Sequence, residues 1–239
     1  MEKNKFKAIL FDMDGTLLPM DMEEFTNGYF KFLVKKLAPF GIPAQELIAS
    51  VWAGTKAMVK NDGSVRNRDA FWKKFEEETG VGGEEIDKAC LDFYGNEFHQ
   101  AKIFTKDNPL AKKAVEISHK KADIVCLSTN PLFPMVGQET RMSWVNLKPS
   151  DFNLVTSYET DSFCKPNPKY FTSVCERLGV EPGDCLLIGN DEYEDMYAGT
   201  KAGLNCYLVT DTMISSKEHP WSGDKGSFED LIAFLENLE

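Results

Sequence analysis

Apolar and polar positions follow one another along this chain in two textures. Residues 6–12 form a short, nearly continuous apolar run, the pattern of a strand buried on both faces. From about 21 to 99 the apolar positions recur at helical spacing, in four segments at 22–38, 43–60, 68–79 and 84–98. Turn signals separate these segments: Pro39 to Pro43, Asn61 to Ser64 and Gly80 to Gly83. From 107 onward the texture changes. Helical segments at 108–121, 132–145, 167–179 and 193–202 alternate with apolar runs at 123–127, 153–156, 185–189 and 206–209, and a last helix falls near 227–238. The stretch 211–226 reads as a loop. Strands alternating with helices predict an α/β, Rossmann-like core with a parallel sheet covered on both faces. The helical block interrupts that core, so the chain divides into a core of 1–19 and 100–239 and an inserted α-helical domain of 20–99.

Composition narrows the partners. The 239 residues carry 27 Lys and Arg against 38 Asp and Glu, a net charge of −11. This acidity argues against nucleic acid and against an anionic membrane, which both require a basic face. A small anionic substrate needs only a local positive site and stays open. No apolar run approaches the roughly 20 residues of a membrane span, and the opening reads as a mature first strand rather than a signal peptide. The six cysteines contain no C-x-x-C pair, and Cys126, Cys185 and Cys206 lie in apolar runs. They read as reduced core thiols of a cytoplasmic protein. No zinc-ligand spacing occurs, and His99, His119 and His219 stand isolated.

The candidate chemistry sits where the apolar runs end, which is where open parallel sheets bind ligands. Asp12 and Asp14, followed by Gly15 and Thr16, end the first run. Ser128, Thr129 and Asn130 end the second, the third leads towards Lys165, and Gly189, Asn190, Asp191 and Asp195 follow the fourth. Carboxylates suit a hard cation such as Mg²⁺. A lysine and hydroxyl donors suit a phosphate dianion. A carboxylate can attack phosphorus to give an aspartyl-phosphate, with a second acid to protonate the leaving oxygen. Asp12 and Asp14, two apart on a backbone leaving a strand, can both face one crevice. Taken singly, each motif also has a bland reading as a turn, a helix start or a solvated surface; their order, each at a strand end, favours the chemical one.

Together these four motifs resemble the haloacid dehalogenase (HAD) superfamily, over nearly the whole chain, and the inserted helices stand where that family carries its C1 caps. The resemblance implies Asp12 as nucleophile and Mg²⁺ ligand. It implies Asp14 as general acid/base, with its backbone carbonyl on the metal. Thr129, in preference to Ser128, and Asn130 would bind phosphate, and Lys165 would balance the charge. Many members have aspartate where this chain has Asn190, so Asp191 takes the place of the last metal ligand and Asp195 stands behind it. Members that cleave carbon–halogen or phosphonate bonds lack an aspartate at position 14. The resemblance therefore implies a Mg²⁺-dependent phosphatase of a small phosphorylated metabolite. A phosphomutase of the β-phosphoglucomutase type shares the core motifs. A phospho-accepting signalling module is shorter, and its acceptor aspartate follows an internal strand, with an acidic pair on the first; here the D-x-D pair ends the first strand and a long helical insertion follows. Trp52, Lys56, Arg66 and Arg68 are candidate cap contacts to substrate, while Phe133 and Trp144 read as packing residues. Residues 15–20 and 100–106 are the expected hinges.

Overall fold

A computed structural model of the protein describes residues 6–238; positions 1–5 and 239 of the expected core lie outside the described residues. Strand β1 (Ala8–Phe11) is followed by four helices, α1 (Met22–Leu37), α2 (Ala44–Val59), α3 (Asn67–Thr79) and α4 (Glu84–Gly95), and a 3₁₀ segment, Glu97–Phe104. The chain then alternates α5 (Ala111–Lys121), β2 (Ile124–Leu127), α6 (Met135–Trp144), β3 (Leu154–Val155), α7 (Pro168–Leu178) and β4 (Cys185–Gly189). A π-helical turn (Glu192–Tyr197) runs into α8 (Ala198–Ala202), followed by β5 (Asn205–Val209), β6 (Lys225–Gly226) and α9 (Phe228–Glu236). The six strands form one parallel sheet in the order β3-β2-β1-β4-β5-β6.

Local chemistry sets the boundaries. Asp21 caps α1 by accepting from the backbone N–H of Glu23 and Glu24, and Lys35 and Lys36 close its last turn, where the helix dipole favours cations. Asn167 caps α7 and Pro168 occupies its first position. Ser227 and Asp230 form a capping box on α9. The helix expected over 132–145 begins only at Met135, because residues 131–133 form a turn and Pro134 before the helix is extended. The expected loop 211–226 ends in the short strand β6, held where Leu208 N–H donates to Asp224 and Thr210 N–H to Gly226. Two residues with no apolar alternation give no strand signal.

β1 is the axis of the sheet, and all four of its residues are buried. Side chains alternate across it. Ile9 and Phe11 join a large apolar cluster with Phe25, Leu33 and Phe93 of the inserted helices, while Ala8 and Leu10 pack with Tyr170, Val174 and Leu187 on the other face. The register pairs Phe11 with both Leu127 and Ile188, so the chain segments after β1, β2 and β4 leave the sheet side by side. The order reverses at β1/β4, the place where such sheets open a crevice. The helical insertion leaves and re-enters beside itself: Met20 bridges Thr105, and Lys106 N–H donates to the Pro19 carbonyl at 2.8 Å.

Phe98 anchors the insertion to the core. Its ring centroid lies 5.2 Å from that of Tyr94, 5.3 Å from Trp144, 5.8 Å from both Tyr29 and Phe93, and 6.1 Å from both Phe25 and Phe133. Phe98→Ala should therefore cost about 3–5 kcal/mol, read as a lower urea midpoint; a midpoint equal to wild type would show that this cluster does not hold the insertion in place.

Candidate active site

The first candidate segment leaves β1 in a tight turn. Asp12 N–H donates to the Ile188 carbonyl at 2.9 Å, which ties the end of β1 to β4. Gly15 has φ +85°, and a Cβ there would meet the Asn190 amide at 2.2 Å, so the turn and the close approach both call for glycine. Thr16 Oγ1 donates to Asn190 Oδ1 at 3.0 Å and lies 3.3 Å from Asp12 Oδ2. Asn190 Nδ2 in turn donates to the Thr212 carbonyl at 2.8 Å. Both ends of the Asn190 amide are thus spent within the protein.

Lys165, 1% exposed, stands at the centre of the crevice. Its Nζ donates to Asp12 Oδ1 and to Asp195 Oδ1, each at 2.6 Å. Asp195 Oδ2 accepts from the backbone N–H groups of Asn190 and Asp191, each at 3.1 Å. Gly189 must lack a side chain, because a Cβ would come within 2.3 Å of the same oxygen. Asp191 Oδ1 caps the π-helical turn, accepting from Tyr193 and Glu194 N–H at 2.7 and 2.8 Å.

The second motif divides its hydroxyls. Ser128 Oγ turns back to the Phe11 carbonyl at 3.3 Å, a structural use. Thr129 is 1% exposed, and its carbonyl accepts from Thr156 Oγ1 and Tyr170 Oη at 2.7 and 2.8 Å, which pins the loop. Asn130 Nδ2 donates to Glu194 Oε2 at 3.0 Å, while its Oδ1 is buried without a hydrogen-bond partner.

Asp14 is held from the far side. Its Oδ2 accepts from Nη1 of Arg141, a fully buried arginine on α6 that also donates to Gln138 and lies 4.1 Å over the Phe133 ring. Asp14 Oδ1 is buried without a hydrogen-bond partner. Arg141 and Glu194 carry no signal in the sequence that assigns them to the site, yet they bond Asp14 and Asn130. Arg141 and Gln138 stand three apart on one face of α6, but that spacing does not say that the face meets a residue 127 positions earlier. Phe133 has a second part beyond packing, as the floor under Arg141. Of the candidate cap contacts, Arg66 donates to the Thr160 carbonyl at 2.7 Å and Arg68 pairs with Asp87.

The crevice is too acidic for its own cations. Among the described residues, the cations paired with or acting on Asp12, Asp14, Asp191, Glu194 and Asp195 are Lys165 and Arg141. Burial pushes the Asp12 carboxyl up to about 7 against the pull of Lys165. Burial likewise pushes Glu194 up to about 8, with Asp191 and Asp195 adding to the rise, and it raises Asp191 against two backbone donors. For Lys165 burial works downward, but the charges of Asp12 and Asp195 outweigh it and hold the ammonium protonated. An oxygen-only donor set with surplus negative charge fits a hard divalent cation. Among the described residues no three His, Cys, Asp or Glu side chains form a ready-made cage.

The sequence matches the haloacid dehalogenase-like hydrolase family over residues 6–203, and the protein belongs to that family. It is similar to N-acylneuraminate-9-phosphatase of Rattus norvegicus, 45% identical over 40 residues, which cover 17% of this chain and 16% of that protein. The chain thus aligns with only a small part of the length of that relative. The fold is similar to a HAD phosphatase from Thermococcus onnurineus, with a TM-score of 0.60 at 18% identity over 96% of this chain and 97% of that one. It is also similar to L-2-haloacid dehalogenase from Xanthobacter autotrophicus, with a TM-score of 0.58 at 15% identity over 98% and 100% of the two chains. All six cysteines are free, and among the described residues no helix is long and apolar enough to cross a membrane.

The raised carboxyls set a pH dependence. In the fold, Asp12 and Glu194 keep protons that the unfolded chain has already released, so stability falls as pH rises through their folded values of about 7 and about 8. Chelator-treated protein should melt lower at about pH 8.5 than at about pH 6, and Mg²⁺ should raise the melting temperature at the higher pH. A melting temperature indifferent to both would contradict the surplus of negative charge.

Proposed function

We propose that the protein is a Mg²⁺-dependent phosphatase of a small phosphorylated metabolite, acting through an aspartyl-phosphate on Asp12. The observation that carries this reading is the buried Lys165 ammonium clamped between Asp12 and Asp195 at the ends of adjacent strands, within a surplus of carboxylates. The match to a phosphatase in the curated relatives supports the same reaction class. Free cysteines support a cytoplasmic setting, where thiols stay reduced.

The Asp12 carboxylate, the Asp14 carbonyl and Asp191 would hold Mg²⁺. The bound ion would supply Lewis-acid charge that offsets repulsion between the phosphate and Asp12. Lys165 orients Asp12 and neutralises charge beside it, while the Thr129 hydroxyl and the Asn130 amide, once it exchanges Glu194 for substrate, serve as phosphate donors. Asp12 attacks phosphorus in line, and the bond from phosphorus to the leaving oxygen breaks. Asp14 gives that oxygen a proton from Oδ1, the atom without a partner in the fold. Asp14 then takes a proton from the water that attacks the phospho-enzyme, which releases inorganic phosphate and regenerates Asp12. The helical insertion, 20–99, acts as a cap that excludes bulk water from the reaction, with residues 15–20 and 100–106 as its hinges.

Asp12→Asn should lower kcat on any phosphomonoester by at least about a thousandfold with an unchanged circular dichroism spectrum; retained turnover would remove Asp12 from the nucleophile's role. Asp14→Asn should slow an alkyl phosphate more than p-nitrophenyl phosphate, whose leaving group needs no proton. Equal losses on the two substrates would count against Asp14 as the acid. EDTA should abolish wild-type turnover and Mg²⁺ restore it.

A further inference from the structure

Between the inserted helices and the crevice lies a cavity of about 190 Å³, and Asp14 is part of its wall. Protein interiors are close-packed and leave few voids larger than a water molecule. This void is far larger, and it begins at the carboxylate assigned to the leaving group. The rest of its wall comes mostly from apolar and aromatic side chains, among them Phe30 of α1, Val51 of α2, Phe71 and Trp72 of α3, Tyr94 of α4, and Phe133. Among the described residues that line it, Asp14 is the one charged side chain. Of the polar groups on the wall, the Tyr29 and Tyr94 hydroxyls bond to each other at 2.7 Å and Thr55 donates to the Val51 carbonyl at 2.9 Å; beside them the wall carries the hydroxyls of Thr26 and Tyr158 and the unpartnered Trp72 Nε1. Lys56, Arg66 and Arg68, the charged candidates for substrate contact, are absent from the wall, whereas Trp52 belongs to it.

On the phosphatase reading above, we infer that the substrate is the monophosphate of an apolar alcohol carrying a group about the size of a benzene ring, which fills this cavity while its phosphate sits at Asp12. An apolar cavity of about 150 Å³ already holds benzene, so a ring fits a space of about 190 Å³. Burial of that ring is favourable in proportion to its apolar area. A polyhydroxylated leaving group would instead lose water at each hydroxyl and find few partners on this wall. The same wall disfavours a sugar phosphomutase. Asp14, whose side chain is part of that wall, is the acid for the oxygen that joins the two halves of the substrate.

The test compares phenethyl phosphate with glucose 6-phosphate, two esters of primary alcohols that make the same demand on Asp14, and uses acetyl phosphate as a small reference. Binding of the product alcohol, phenethyl alcohol, is followed by the fluorescence of Trp52 and Trp72 on the cavity wall. We expect kcat/KM for phenethyl phosphate to exceed that for glucose 6-phosphate by at least about tenfold. Thr55→Phe, which puts a ring into the cavity, should erase that ratio and the fluorescence response. Hydrolysis of acetyl phosphate with glucose 6-phosphate equal to or better than phenethyl phosphate would overturn the apolar substrate and leave the phosphatase standing. Absence of hydrolysis of all three phosphates, with phenethyl alcohol still bound, would overturn the phosphatase reading and the leaving-group assignment with it. No fluorescence response in wild type would overturn the cavity as a binding site.

Discussion

Everything in the crevice depends on one buried ammonium. Lys165 reaches Asp12 and Asp195 at equal distance, with all three groups withdrawn from water. Two carboxylates so placed would repel each other and would each carry a heavy desolvation cost, and the lysine between them offsets both. The three groups come from three separate segments: the end of β1, the loop after β3 and the turn after β4. None of these can shift without leaving a buried charge unpaired. Such a cluster contributes little net stability, because removing charges from water costs about what their attraction returns. Its effect is geometric, since it fixes where the segments after the strands may sit.

The sheet makes that meeting possible. Because β1 lies between β2 and β4, and Phe11 is level with Leu127 and Ile188, Asp12, Ser128 and Gly189 leave the sheet together. A register slip of one residue would turn the alternating faces of β1 over and carry Asp12 out of line with Lys165. Glycines at 15 and 189 then let neighbouring segments close to distances that a Cβ would forbid. The acid-rich turn after β4 remains short of positive charge, and the proposal of a divalent cation in the crevice rests on this shortage more than on any single ligand.

Much of this was legible in the sequence. The apolar runs at 6–12, 123–127, 185–189 and 206–209 mark four strands, and residues 12, 165 and 195 do meet. What escaped was non-local or of low contrast. β6 is two residues, Lys225 and Gly226, and is defined by its hydrogen bonds to β5 and not by side-chain pattern. The stretch 193–202 reads as one helix, but its first turn is a π-helix whose extra residue leaves no mark on the periodicity. The contact of Arg141 with Asp14 joins positions that no spacing rule relates. Lys165 sits in a loop and reads alone as a surface lysine, so only the company of the other motifs singled it out.

The same contrast explains why sequence motifs reveal the reaction before the substrate. The residues assigned to chemistry cluster at strand ends, where the chain turns sharply and short polar stretches interrupt apolar runs. Such breaks are conspicuous. The residues around the cavity lie on the inward faces of α1 to α4, and there Phe30, Val51, Phe71 and Tyr94 follow the helical period that any amphipathic helix shows when it covers a core. A face that buries itself against its neighbours and a face that encloses a vacant volume have the same pattern of apolar residues. They differ only in how closely the helices approach, and side-chain shape and crossing geometry decide that approach in three dimensions. Reaction class is therefore written in local breaks of the pattern, and leaving-group preference in a packing that the pattern does not encode.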